Sequence, residues 1–110
     1  MEQQYTTEIF REENGNTATF RLTGTFDARA AVRLRKLLEE ADAPRLVIDF
    51  SRVRQFVDVA VAVLSGGLKS RSVELRGLGR HQESVFRYFD IPVARDPDHR
   101  YYQPEEALAL

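Results

Sequence analysis

Two histidines, a scatter of carboxylates and two glycine-bearing turns are the features from which this chain could build chemistry. His99 follows Asp96-Pro97-Asp98, a grouping that would suit a metal or a pH-sensing turn if its side chains converged. A three-residue polar loop supplies too few preorganised ligands, so a solvated turn without a metal is expected there. His81 falls near the start of a helix, a surface position. Asp49 and Asp58 would pair if both stood at the C-terminal end of a strand, where open α/β sheets place ligands. The simpler expectation is that Asp49 ends a strand and Asp58 caps the following helix. Ser65-Gly66-Gly67 follows a helix-like segment instead of preceding one, which does not make a phosphate cradle. Gly77-Leu78-Gly79 lacks the third glycine and the ribose-binding acid of a dinucleotide site. No nucleophile, base and orienting group stand where they would converge. The sequence therefore predicts no catalysis, no cofactor and no metal.

Composition narrows the classes further. A chain of 110 residues with 43% hydrophobic side chains suits one ordinary core, so a single domain over residues 1–110 is expected. The absence of Cys removes disulfides, thiolate nucleophiles and Cys-type zinc sites together, and it fits a reducing compartment, with the cytoplasm as the default. The opening Met1-Glu2-Gln3-Gln4-Tyr5 is unlike a secretory leader. Insertion into a membrane is not expected, because no apolar run approaches the roughly 20 residues that a span requires. Sixteen basic residues against seventeen acidic ones, interspersed, leave a net charge of −1. Nucleic acid needs a clustered basic face and is not an expected partner.

The elements that must position any site follow from periodicity. Residues 5–11 and 17–23 are rich in Thr, Phe, Ile and Tyr, and Asn14-Gly15-Asn16 between them predicts a β-hairpin. Asp27 is placed to cap a helix over residues 28–41, whose Ala31, Leu34, Leu37, Leu38 and Ala41 recur at helical spacing. Pro44 stops that helix, and residues 46–50 form a short buried strand. Residues 57–64 alternate like a strand, with Val at every odd position. A further strand at residues 73–76, however, joins residues 46–50 in parallel only through a crossover of a dozen or more residues, usually helical. Residues 57–66 are therefore predicted to be a helix that Gly66-Gly67 ends. Another helix is predicted from about Arg80 to Phe89, stopped by Pro92, and Pro104-Glu105-Glu106 starts a last one. The expected fold class is α/β, a mixed β-sheet with an N-terminal hairpin, parallel crossovers and helices packed on the sheet.

Placed on those elements, Leu22-Thr23-Gly24-Thr25-Phe26-Asp27, then Ala31, Leu34-Arg35 and Leu38, resemble the opening of a STAS domain, the domain shared by sulphate transporters and bacterial anti-sigma factor antagonists. The family pattern continues with an apolar strand ending in Asp-Leu-Ser, a Val two residues on, then Phe, Met, Asp, Ser, Ser, Gly. This chain has Val47-Ile48-Asp49-Phe50-Ser51-Arg52-Val53, then Phe56-Val57-Asp58-Val59-Ala60-Val61. Val73-Glu74-Leu75-Arg76-Gly77-Leu78 and Glu105-Glu106-Ala107-Leu108 also resemble the family, so the likeness spans most of residues 8–110. It implies a STAS-like mixed sheet, no catalytic chemistry, and docking to a protein partner. That partner would be an anti-sigma factor with a kinase-like ATPase domain, a scaffold, or a transporter subunit.

The resemblance breaks at the regulatory position. In antagonists resembling this chain a kinase phosphorylates the second Ser of Asp-Ser-Ser-Gly. That position is Ala60 here, with Val59 and Val61 on either side and Asp58 alone retained. Alanine offers no hydroxyl, so the resemblance implies docking without a phosphoryl switch at this site. The expected docking patch comprises Asp58, Val59, Ala60 and Val61, with core filling by Val59 and Val61 as the alternative. A scaffold or transporter-accessory role, and a small-ligand or anion-binding domain at the start of the second helix, remain the competing readings.

Overall fold

The computed structural model describes residues 7–68, 73–91 and 93. Along the chain run β1 (Glu8–Asn14), β2 (Thr17–Phe26), α1 (Ala28–Glu40), β3 (Arg45–Phe56), α2 (Asp58–Leu68), β4 (Val73–Arg76) and α3 (Arg80–Tyr88). The four strands form one sheet in the order β1-β2-β3-β4, antiparallel between β1 and β2 and parallel thereafter. This is the expected hairpin followed by parallel crossovers. The closing helix predicted after Pro104, the Asp96–His99 turn, Pro92, Ser70 and Ser72 lie outside the described residues.

One face of the sheet carries the core. Ala18, Phe20, Leu22 and Phe26 of β2 and Leu46, Ile48 and Phe50 of β3 pack with Ala31, Leu34 and Leu38 of α1, Ala60, Val61 and Leu64 of α2, and Phe86 of α3. Alternation turns the intervening residues to the other face, where charges pair along and across strands. There Arg45 and Arg76 reach Glu74 at 2.8 and 2.6 Å, and Arg21 lies between Glu12 at 3.3 Å and Asp49 at 3.9 Å.

Several boundaries differ from the expectation, each for a local reason. The hairpin begins later and turns more tightly, since Asn14 still pairs with Thr17 and only Gly15-Asn16 close the loop, with Gly15 at φ 61°. β3 runs six residues past Phe50, because register shifts near Arg21/Thr23 and Gly24/Thr25 let β2 and β3 stay paired as far as Phe26 and Phe56. Those shifts spoil the two-residue period: Phe50 is followed inward by Val53 and Phe56 at intervals of three, which does not read as a strand.

Residues 58–68 are helical, as the crossover demanded. Gly66-Gly67 do not end α2, which continues to Leu68. They sit where Arg35 of α1 crosses it: a Cβ on Gly66 would meet Arg35 Nη1 at 3.2 Å, and one on Gly67 would meet Arg35 Cγ at 2.5 Å. The glycines make room for that side chain, against a helix-propensity cost of about 1 kcal/mol each.

α3 ends before Pro92, in a left-handed residue. Asp90 has φ 61°, its N–H donates to Arg87 O, and the N–H of Ile91 donates to Phe86 O, while Ile91 and Phe86 are both buried. This is the double hydrogen-bond closure with an apolar clasp that commonly terminates helices.

Candidate functional site

In a sheet whose central strands run parallel, every helix that follows a strand starts at the same end. Here α1 follows Phe26, α2 follows Phe56, and α3 follows the Gly77–Gly79 turn after β4. The junctions are tied together: Val57 N–H donates to Phe26 O at 2.9 Å, and Asp27 caps α1 by accepting from Ala30 N–H at 2.9 Å.

Beneath these helix starts lies a cluster of four rings. Phe26 stands 5.1 Å from Phe50 and 5.2 Å from Phe56 between ring centroids, and Phe86 stands 5.6 and 6.1 Å from Phe50 and Phe56. Edge and tilted contacts of this kind add about 0.5–1.5 kcal/mol per pair to plain burial beneath the helix starts.

Above that cluster the expected docking residues separate. Ala60 and Val61 are both 0% exposed and belong to the core, whereas Val59 is 56% exposed and Val57 and Asp58 are also at the surface. Val57 precedes α2, and from Val59 to Ala60 and Val61 the helix turns about 100° per residue away from solvent and toward the sheet. What reaches solvent is therefore Val57-Asp58-Val59, and the Ala60 methyl faces inward.

Asp58 does not act as a cap. It stands within the first turn of α2, and its carboxylate lies 3.1 and 3.3 Å from Nε2 of His81, at the start of α3. Sequence reading placed both residues at helix starts but missed the pair, since 23 residues separate them. The signal that could have found it is the parallel topology, which gathers helix starts at one end. Asp49 is not near a strand end, as β3 continues past it. Its Oδ1 accepts the N–H of Ser51 at 2.9 Å, so the imagined Asp49–Asp58 site is replaced by two separate local contacts.

Between α2 and α3 lies an open groove of about 380 Å³ lined by Asp58, His81, Ser84, Val85, Tyr88 and Phe89. Its rim is polar at the Asp58–His81 end and apolar at the far end, where Tyr88 is 81% exposed and packs edge-on against Phe89 at 5.2 Å. Single exposed apolar residues are ordinary, but Val57, Val59 and Tyr88 are three of the five large hydrophobics exposed among the described residues; the two valines flank Asp58 in sequence, and Tyr88 lines the groove. An anion at the α2 N-terminus would meet the Asp58 carboxylate, which already occupies the positive end of the helix. Ser65 is buried and its hydroxyl donates to Ala62 O at 2.8 Å. Among the described residues no three metal-ligating side chains cluster, and no helix is long and apolar enough to cross a membrane.

Comparison with known proteins agrees with this geometry. Residues 9–92 match a family model described as "Mlab, STAS domain". No curated protein matches the sequence. Among solved structures, the anti-sigma factor antagonist SpoIIAA in its unphosphorylated form superposes with a TM-score of 0.59 at 18% identity, over 92% of this chain and 93% of that one. An anti-sigma factor antagonist from Mycobacterium paratuberculosis gives 0.61 at 19% identity, over 94% and 92%. A Shewanella loihica protein with a SpoIIAA-like fold gives 0.51 at 19% identity, over 97% and 93%. At such identities the likeness is one of fold.

Proposed function

The chain belongs to the STAS domain family, and from that membership we propose that it is a non-catalytic docking module of the anti-sigma factor antagonist kind, engaging a protein partner through the exposed start of α2 and the α2–α3 groove. The observation that carries the reading is the exposure of three large apolar side chains: Val57 and Val59 flank Asp58 at the start of α2, and Tyr88 lines the groove between α2 and α3. Aromatic and apolar anchors next to a small polar rim are what protein interfaces use. STAS domains are generally non-catalytic, and among the described residues no nucleophile is hydrogen-bonded to the Asp58–His81 pair: the Ser84 hydroxyl in the same groove donates to Arg80 O at 3.0 Å.

Docking of this kind is constitutive with respect to Ala60. A kinase finds no hydroxyl there, and the methyl is covered. The partner proposed is an anti-sigma factor with a kinase-like ATPase domain. A scaffold or a transporter subunit is the alternative occupant of the same surface.

The test is affinity capture from the native host with the wild-type chain, Val59→Asp and Tyr88→Asp, followed by mass spectrometry and by a binding curve for the captured protein. The reading expects one stoichiometric partner lost from both variants while their melting temperatures hold. Retention of that partner at full affinity by both variants would overturn it.

A further inference from the structure

We infer that the outer face of α1 is a second docking surface, one that receives an acidic segment of a partner protein. Arg29, Arg33 and Lys36 follow one another at intervals of four and three, which sets them in one row along the exposed side of α1. The chain as a whole carries a net charge of −1, so this row is a local concentration and not the spill of a basic protein.

The fold does not need these charges and is opposed by part of the pattern. α1 has no acid in its first turn and no base in its last, while Arg29 stands at its start and Glu39-Glu40 at its end, the reverse of what the helix macrodipole favours. Arg33 Nη1 donates to the backbone oxygen of Thr7 at 3.2 Å, but Arg29 and Lys36 enter no ion pair among the described residues. The neighbouring Arg35 is already held by Glu39 at 3.4 Å. Beside the row Val32 is 56% exposed, and a shallow depression of about 330 Å³ is lined by Val32, Arg35, Lys36 and Glu39.

Those features state the occupant's chemistry. Carboxylates spaced to meet Arg29, Arg33 and Lys36 would satisfy the row, and one apolar side chain would cover Val32. A nucleic acid or an anionic membrane suits the surface less well. The cationic row runs only about 10 Å at 1.5 Å per residue, and it leads straight into Glu39, Glu40 and the exposed Asp42, which a uniform polyanion would meet with repulsion. A protein segment can change its charge along its length.

The experiment titrates the intact, isotope-labelled protein with a synthetic helical peptide bearing Glu at intervals of four and three and one Leu beside them. The same peptide with Gln for Glu, phosphatidylserine vesicles and an RNA duplex are titrated in parallel. The expected result is saturable binding of the Glu peptide alone, with amide shifts over residues 29–36. Affinity should fall about tenfold, equal to about 1.4 kcal/mol, in the double variant Arg29→Ala/Lys36→Ala, and fall likewise as salt screens the exposed charges. The melting temperature of that variant should hold or rise, because the Arg29 charge that opposes the macrodipole is removed and Ala is a strong helix former at both positions. Val59→Asp should bind the peptide as the wild type does, which separates this surface from the α2–α3 groove. Four results would each overturn the proposal: no saturable binding, affinity indifferent to the double variant, preference for vesicles or the duplex, and shifts over residues 29–36 that arise from self-association as the chain alone is concentrated.

Discussion

Gly77 shows how much a single residue can fix. It holds φ 77°, a region that side chains with a Cβ avoid, and a Cβ there would lie 2.7 Å from the Cα of Ser51 as well as against its backbone nitrogen. Backbone strain and overpacking therefore act together, and Gly77→Ala is expected to destabilise the fold by about 2–4 kcal/mol, measured by urea unfolding. Glu74 gives a second prediction at this scale. Burial works to raise its carboxyl, but the hydrogen bonds and charges of Arg45 and Arg76 together outweigh it and hold the group below the ordinary glutamate range. A carboxyl depressed by folding stabilises above its unfolded value, and that contribution disappears as pH falls through the lower, folded value. The stability difference between wild type and Glu74→Gln should accordingly be constant near neutrality and shrink in acid; a difference that persists unchanged below the carboxylate range would contradict the assignment. At this scale the sequence shows directly that residue 60, an alanine, offers no hydroxyl. It was silent on the Asp58–His81 contact, which is made only by tertiary folding.

Among the elements, α2 carries the lesson about legibility. Its alternating valines favour a strand in isolation, and only the need to connect two parallel strands makes it a helix, so topology decided where local pattern misled. The same reasoning could not foresee that α2 passes through Gly66-Gly67, because the reason is the Arg35 side chain arriving from another helix. Nor could it foresee the length of β3, whose inward residues lose their period of two at the register shifts. α1, by contrast, was fully readable: helical spacing marked Leu34 and Leu38 as its inner face, and both are buried. Truncating either to Ala is expected to cost about 2–5 kcal/mol. A loss below about half a kilocalorie for both, the range of ordinary surface changes, would mean the packing of α1 on the sheet is wrong.

For the whole molecule, the core and the proposed docking surface meet at the start of α2. The Phe26, Phe50, Phe56 and Phe86 cluster that closes the core also lies beneath the start of α2, where Val59 meets solvent. Two neighbouring positions should therefore give opposite results when each receives the same charge. Ala60 is fully buried, and Ala60→Asp would place a carboxylate among Val61, Leu64 and the sheet without a partner. An uncompensated buried charge costs about 3–5 kcal/mol, which at roughly 4–8 °C per kcal/mol for a domain near this size lowers the melting temperature by tens of degrees. Val59→Asp adds its charge in water beside Asp58, where a surface substitution changes stability by about 0.5 kcal/mol or less. Its consequence should fall on docking instead, since a desolvated carboxylate facing an apolar partner has nothing to pair with. Thermal melts of the two variants beside binding curves for the captured partner make the comparison. A stable Ala60→Asp would show that the start of α2 is not packed as described, and a stable Val59→Asp that still binds at full affinity would place the partner elsewhere on the molecule.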